Sequence, residues 1–404
     1  MTQEMQWTYQ AVYGKSIVTW LLYLPGYMTR KFWFFLLSTC MWLPLLTKAQ
    51  VAEDSTATTH NQHSPKERIT VGGYIDVYYG YDFSQPATQD RAYFVSSARH
   101  NEFTLNLAFI DIKYTSDRVR ATLRPALGTY MAANYSAEPA IFRNVYEGHV
   151  GVKLFAGKNI WLDAGVLGSP YTNESAVSKD HLLYTRSFAP EYVPYYLSGV
   201  KVSMPINNKV SLYLYLLNGW QNIRETNKGK SLGTQLEYKP ADRWLINWNT
   251  YVGDERSTAN PENRTRYFSD VYAVYNPDGK VTATACLYMG AQKRLNAAGG
   301  MAGETAYWFT ANLMGRYKFT PAFSLSGRLE YFTDPDEVQI SPITGEKGFR
   351  TYSASLGVNY APAANILLRM EGRSFFSDKQ VYQTSRSTPA KTNALVIASM
   401  ALSF

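Results

Sequence analysis

Charged residues recur at every second position in several segments of this 404-residue chain. Arg328 is followed by Glu330, and Arg369 is followed by Glu371 and Arg373. Alternate residues of a β-strand point to the same face of a sheet, so each set would share one face. Arginine and carboxylate groups that face each other across water create a field that sorts dissolved ions by charge. The candidates for this chemistry are Arg120, Arg124, Arg316, Arg328, Glu330, Arg369, Glu371 and Arg373.

The histidines do not indicate acid–base or nucleophilic catalysis. His60 and His63 lie in a polar stretch near the N-terminus. His100 and His181 lie in predicted loops, and only His149 occupies an inward strand position. A nucleophile needs a nearby base and a group that orients this base, and no spacing of serine and histidine singles out such a set. The sequence therefore predicts no enzyme, no cofactor and no metal, since His60 and His63 lack a third ligand.

Apolar residues occupy the positions between the charged ones. Over residues 323–331, Phe, Leu, Gly, Leu and Tyr alternate with Ser, Ser, Arg and Glu. This alternation predicts a strand with one face toward lipid and the other toward a polar lumen. A soluble β-sandwich is the alternative, with the apolar face forming its core. Aromatic residues at the strand ends favour the membrane barrel, because they resemble its interfacial girdles.

Composition favours the same class. Charged residues make up 18% of the chain and aromatic residues 15%. The mean hydropathy is −0.28, and no apolar run after Gln50 approaches the roughly 20 residues that a transmembrane helix needs. A membrane β-barrel reconciles these values, since only alternate residues of its strands must be apolar. The formal net charge is +8, but no basic run resembles a nucleic-acid site.

Short turn sequences divide the chain into hairpins. Seven of them start at positions 115, 156, 206, 240, 276, 320 and 361, and longer polar stretches alternate with them. Seven turns and eight loops connect sixteen strands and place both chain ends on the turn side. The expected fold is all-β, a transmembrane antiparallel up-and-down β-barrel of about 16 strands. Two segments, "NEFTLNLAFIDIKY" and "RYFSDVYAVY", change phase as at a bulge, so counts of 14 to 18 stay open.

The N-terminal segments are expected to precede the barrel. Arg30 and Lys31 stand before an apolar stretch and a small-residue cleavage pattern that ends at Ala49, before Gln50, which is typical of a secretory signal peptide. Met28 is then the expected start of translation. The predicted division is 1–27 upstream extension, 28–49 signal peptide, 50–69 disordered polar lead-in and 70–404 barrel.

Several stretches carry a resemblance to a known family. They are "GGYIDVYYGYDFSQP", "NEFTLNLAFIDIKYTSDRVRATL", "IWLDAGVLGSPYTNESAVSKD", and "YYLSGVKVS" with "LLNGWQN". These stretches are similar to the OmpL-like family of β-barrel porins of Gram-negative outer membranes. The resemblance implies a pore for passive diffusion of small hydrophilic solutes. The expected partners are these solutes and the surrounding outer-membrane lipid. A homo-oligomer is one expected state of the protein. A mild anion preference is expected from the basic excess among inward residues. Surface binding or adhesion through the extracellular loops is the alternative.

The chain ends in alternating apolar residues, in "KTNALVIASMALSF". Phe404, Leu402 and Met400 fall on one face, which predicts the strand that closes the barrel. This segment is similar to the C-terminal signal that the barrel-assembly machinery recognises in its substrates. The resemblance implies that the three residues form an assembly signal and that this machinery is a partner.

The longest predicted loop runs from Gly168 to Tyr196, between the fifth and sixth strands. Long loops with structure of their own are commonly functional, and general porins fold their third loop into the lumen. We expect a constriction here, with an external cap as the alternative. The charged candidates are Glu174, Lys179, Asp180, Arg186 and Glu191. Two interpretations also stay open for the charged candidates on the strands. They screen solutes by charge, or they pair across strands and stiffen the barrel wall.

Overall fold

The computed structural model describes residues 67–295, residue 303 and residues 305–404. Within these residues, sixteen strands form one closed barrel in which each strand is antiparallel to both neighbours. The predicted up-and-down barrel of 16 strands is therefore confirmed. Its strands are β1 (Arg68–Asp82), β2 (Phe103–Thr115), β3 (Val119–Leu127), β4 (Val145–Lys153), β5 (Trp161–Gly168), β6 (Tyr196–Pro205), β7 (Val210–Leu217), β8 (Ser231–Tyr238), β9 (Trp244–Asp254), β10 (Asn263–Tyr275), β11 (Val281–Arg294), β12 (Thr305–Lys318), β13 (Phe323–Asp334), β14 (Phe349–Ala363), β15 (Ile366–Phe376) and β18 (Thr392–Ser403).

All seven predicted turns join neighbouring strands at one end of the barrel, and the long connections lie at the other end. In outer-membrane barrels the short turns face the periplasm and the long loops face outward. The last loop contains a small ribbon of β16 (Tyr382–Gln383) and β17 (Pro389–Ala390). Two short helices lie in loops, α1 (Thr129–Asn134) and α2 (Phe188–Glu191). Among the described residues, no helix has the length and apolar content to cross a membrane.

The two segments with a change of phase have different causes. In β2 the pairing with β1 shifts at Asn106, so that Asn106 and Leu107 are both buried. The bulge expected there is confirmed. From Arg266 to Tyr275, by contrast, β10 pairs with both neighbours without a shift. The bulge expected in that segment is wrong: its inward face simply mixes apolar Phe268 with charged Asp270, both of them buried.

The barrel begins at Arg68, slightly before the predicted boundary at residue 70. The predicted upstream extension, signal peptide and most of the polar lead-in fall on residues 1–66, outside the described part of the chain. Cys40 lies there too. Cys286 is a buried free cysteine in β11.

The last residues close the barrel against β1. The Gly73 N–H donates to the Phe404 carbonyl at 2.8 Å, and the Phe404 N–H donates to the Gly73 carbonyl at 3.1 Å. The Phe404 ring lies directly over Gly73, where a Cβ atom would be 2.2 Å from a ring carbon. Leu402 pairs with Ile75 and Met400 with Val77. The prediction that the last strand closes the barrel is therefore confirmed, and a glycine lies opposite its terminal ring.

An apolar core fills the part of the lumen nearest the loops. Phe188 packs against Phe332 and Phe349 of the wall, with ring centroids 5.4 and 5.8 Å apart. Inward residues of the closing strand, Leu395 and Ile397, join the same core. Burial of each large apolar side chain contributes roughly 1.5–3 kcal/mol. A sixteen-strand barrel would otherwise be a wide aqueous channel, so this core decides how much of the lumen stays open.

Candidate functional site

The third loop, residues 169–195, connects β5 with β6 and lies inside the barrel. The Tyr74 hydroxyl of β1 is 2.8 Å from the Ser178 hydroxyl of this loop. On another part of the wall, the Asn173 amide donates to the Thr284 hydroxyl of β11 at 2.9 Å. Within the described residues, hydrogen bonds between the loop and the wall fall on β1, on β9 to β15 and on β18. These hydrogen bonds therefore hold the loop inside the lumen against one side of the wall, while Tyr195 packs on Tyr130 of the connection between β3 and β4.

Arginines of the wall donate to backbone carbonyls of the loop. The Arg369 guanidinium reaches the carbonyls of Ser178 at 2.5 Å, His181 at 2.7 Å and Leu183 at 3.0 Å. Two further arginines act alike: Arg328 donates to the Thr185 carbonyl at 2.6 Å and Arg373 to the Arg186 carbonyl at 2.8 Å. Charge-assisted hydrogen bonds of this kind are stronger than neutral ones.

Carboxylates of the same wall accept from the loop backbone. Glu371 accepts from the Thr185 N–H at 2.7 Å, and Glu330 accepts from the Phe188 N–H at 2.8 Å. The five wall residues Arg328, Glu330, Arg369, Glu371 and Arg373 are called the loop clamp below. They hold a loop that has little regular secondary structure by satisfying its backbone groups, which would otherwise be buried without partners.

Four of the five charges of the loop clamp also pair with each other. Arg328 lies 3.1 Å from Glu371, and Arg373 is bonded to Glu330. All five side chains are buried. Pairing and hydrogen bonds offset the cost of burying these charges, and Arg369 is held by its three loop carbonyls. Five of the eight wall candidates therefore contact the loop rather than open water.

The five charged candidates of the loop divide into two groups. Arg186 pairs with Glu191 at 2.9 Å, and Glu174 accepts from the Ser187 N–H at 2.9 Å, so these three are buried within the loop. Burial raises the pKa of the Glu174 carboxyl, and the nearby Arg328 opposes part of this shift. Lys179 and Asp180 are instead exposed at the loop tip, where the ammonium group of Lys179 donates to the Ser403 hydroxyl at 2.6 Å.

The remaining wall candidates lie away from the clamp. Arg120 forms two hydrogen bonds to Asp163, and Arg124 bridges Glu147 at 2.7 Å and Asp111 at 2.9 Å. The inward faces of β2 to β7 are called the open wall below. A cavity of about 440 Å³ lies against its periplasmic part, and a smaller one of about 150 Å³ separates Arg124 from the third loop.

Arg316 occupies a third position, at the turn end of β12. Its guanidinium donates to the Pro277 carbonyl at 2.7 Å and to the Thr282 hydroxyl at 3.0 Å. It therefore lies at the periplasmic mouth, bonded to the neighbouring turn.

Sequence reasoning missed Asp270, which accepts from the Thr172 N–H at 2.7 Å and so holds the start of the third loop. The signal was present, because Asp270 is a single carboxylate among apolar residues of "RYFSDVYAVY". Such a residue is costly to bury unless a partner reaches it. The segment was interpreted as a bulge instead, and that interpretation hid the contact.

A closed barrel of sixteen strands with a loop folded into a charged lumen is the architecture of an outer-membrane porin. Residues 68–404 match the family described as "Putative beta-barrel porin-2, OmpL-like". The chain belongs to this family. The resemblance seen in the sequence is thereby confirmed, together with a location in the Gram-negative outer membrane.

Solved structures share the fold at low sequence identity. An outer-membrane channel of Acinetobacter baumannii, DcaP, has 11% identity and a TM-score of 0.56, covering 86% of this chain and 100% of that chain. An anion-selective porin from Comamonas acidovorans has 10% identity and a TM-score of 0.55, covering 84% and 100%. The trimer form of OmpT, an outer-membrane protein of Vibrio cholerae, has 11% identity and a TM-score of 0.54, covering 84% and 99%.

A comparison with curated proteins finds no match. The porin family and the porin folds point to a channel. Nothing among them favours the adhesion alternative. The chain is an outer-membrane porin.

Proposed function

We propose that small hydrophilic solutes diffuse through the barrel along the open wall, beside the third loop. The observation that carries this proposal is the one-sided position of the loop, whose hydrogen bonds to the wall fall on β1, β9 to β15 and β18 in the described residues. The cavities on the remaining side are lined by β2 to β7 and by the loop itself. A path of this shape selects solutes by size, because its width depends on one packed loop.

Each candidate residue takes a role from its position. Arg120 and Arg124 line the path, Arg316 lies at its periplasmic mouth, and Lys179 and Asp180 face it from the loop tip. The loop clamp acts as a positioning group: its charges set where the loop lies. Glu174, Arg186 and Glu191 stabilise the loop from within.

The path should prefer anions. Among the paired charges of the open wall, cations outnumber carboxylates by one: Lys113, Arg120, Arg124 and Lys201 face Asp111, Glu147 and Asp163. The relative from Comamonas acidovorans is described as anion-selective. In a planar bilayer with a potassium chloride gradient, the reversal potential of the refolded mature protein is expected to have the sign of chloride preference. A potential that indicates potassium preference would contradict this proposal.

We also propose that the protein is a channel rather than an enzyme, as its membership of a porin family favours. His149 is bonded to Glu147 at 2.9 Å, His181 to the Ser175 carbonyl at 2.6 Å, and His100 accepts from a backbone N–H. None of these three described histidines is bonded to a serine hydroxyl. A homo-oligomer is proposed by analogy with the trimer form of the Vibrio cholerae relative.

The N-terminal processing stays a proposal. Translation starts at Met28, residues 28–49 are removed as a signal peptide, and the mature chain begins near Gln50. Residues 50–67 then form a polar lead-in to β1. N-terminal sequencing of protein extracted from outer membranes is expected to return a start near Gln50, and a start that retains residues 32–46 would contradict it.

A further inference from the structure

A row of charged residues crosses the open wall near its periplasmic end. Arg120 of β3, Gly151 of β4, Asp163 of β5 and Lys201 of β6 are successive partners in the sheet. Arg120 reaches over the intervening strand and donates through two nitrogens to Asp163, at 2.7 and 2.5 Å. The ammonium group of Lys201 lies 3.6 Å from the same carboxylate. One carboxylate thus holds two cations.

Gly151 makes this crossing possible. A Cβ atom at this position would lie 2.2 Å from the Asp163 Oδ1 atom and 3.0 Å from the Arg120 Cγ atom. The ion pair therefore lies flat on the backbone of β4. A side chain larger than hydrogen would push Arg120 and Asp163 apart.

The row presents positive charge to the lumen. The Asp163 side chain is fully buried, whereas the side chain of Arg120 is 32% exposed and that of Lys201 is 22% exposed. One negative charge cannot neutralise two positive ones, so a net positive charge remains on the accessible side. The partly exposed position of these cations lets them bind an anion from the lumen without losing Asp163.

A cavity of about 440 Å³ opens beside the two cations. This volume is within the range of small-molecule sites, which combine apolar walls with a few polar groups. The Arg120 guanidinium lies 4.4 Å from the centre of the Trp161 ring, which fixes its position by a cation–π contact. Ser203, Ser211 and Tyr213 add hydroxyl groups to the lining.

We propose that this cavity is a binding site for small organic carboxylates that pass through the barrel. Arginine and lysine recognise the carboxylate oxygens, while the half-buried ring of Tyr213 in the cavity lining offers an apolar surface to the body of the solute. The proposal rests on the diffusion path proposed above and deepens it by naming a class of solute. A carboxylate would then bind weakly at the open wall during its passage, in addition to being favoured by the general anion preference of the path.

Saturation-transfer NMR on the refolded mature protein with succinate tests the site without requiring conduction. Arg120→Gln is expected to weaken succinate binding about tenfold, the usual effect of losing one charge-assisted hydrogen bond. Asp163→Asn removes the competing carboxylate and is expected to strengthen binding. A purely structural role for the row would make both variants weaken it.

Two controls sharpen the test. Lys318→Gln removes one positive charge from the same end of the barrel, on β12 and so outside the open wall, and is expected to change succinate affinity less than twofold. Inorganic phosphate should displace succinate only at higher concentration, because phosphate has no apolar body. Wild-type protein without a saturation-transfer signal from succinate would overturn the site, and so would equal losses in Lys318→Gln and Arg120→Gln. Displacement by phosphate at equal or lower concentration would overturn the assignment to organic carboxylates.

The outcomes separate this site from the diffusion path. Chloride conductance without succinate binding would leave the path and remove the site. Succinate binding without conductance would leave the site and contradict the path.

Discussion

Removing Asn173 to Pro190 from the third loop, with a short Gly-Ser linker in their place, is expected to raise single-channel conductance severalfold. The deleted segment contains the loop atoms that Arg369, Glu371 and Glu330 hold against the wall. Without it, a sixteen-strand wall encloses a wide lumen. Conductance of a water-filled pore grows with its open cross-section, so the loss of the largest obstruction should dominate the measurement.

A matched deletion in an exposed loop controls for general damage. Removing Ser257 to Asn260, in the connection between β9 and β10, should leave conductance unchanged, because these residues are largely exposed and are not among those that pack against the third loop. Heat-dependent migration on gels would confirm that both variants form barrels. Unchanged conductance in a correctly folded third-loop deletion would show that the loop does not limit the pore.

A point variant approaches the same question without removing chain. Arg369→Met keeps the length of the side chain but removes three hydrogen bonds to loop carbonyls. Each lost partner of a buried polar group costs about 1–3 kcal/mol. The loop tip should then loosen, which would appear as added open-channel noise, whereas Arg350→Gln in an exposed ion pair should not produce it.

Deleting Phe404 is expected to abolish insertion into the outer membrane in cells, with the chain accumulating in the periplasm. The residue forms two backbone hydrogen bonds to Gly73, but its ring is 70% exposed on the outer surface. Folded-state contacts of an exposed ring are worth too little to decide whether a barrel of this size forms. We therefore propose that recognition by the barrel-assembly machinery carries the effect, together with Leu402 and Met400.

Refolding in detergent separates recognition from stability. The Phe404 deletion should refold in detergent with near-normal yield while failing in cells. Gly73→Val serves as the comparison, because it displaces the Phe404 ring without removing it. It should lower the refolding yield in detergent and the insertion level in cells by similar amounts. Its effect in cells should be smaller than that of the deletion. Normal insertion of the truncated chain in cells would contradict the assembly signal.

The strands of this protein could be predicted because their signals are local. Alternation with a period of two, as at residues 323–331, follows from strand geometry and needs no knowledge of the rest of the fold. Turn residues likewise mark each hairpin where it bends. The closing strand could be recognised for the same reason, since Phe404, Leu402 and Met400 repeat the pattern up to the last residue.

The roles of the charges were decided only by the tertiary structure. The sequence placed Arg369 and Glu371 on the lumen side, and it left open whether they screen solutes or stiffen the wall. Their partners are backbone atoms of a loop 186 to 191 positions away along the chain. Every residue other than proline has the same backbone carbonyl and N–H groups, so the residue types of the loop do not show which of these groups will be contacted. These contacts could therefore not be predicted from a sequence pattern. Which arginines hold the loop and which line the path depends on where the loop lies, and that is set by packing across the whole barrel.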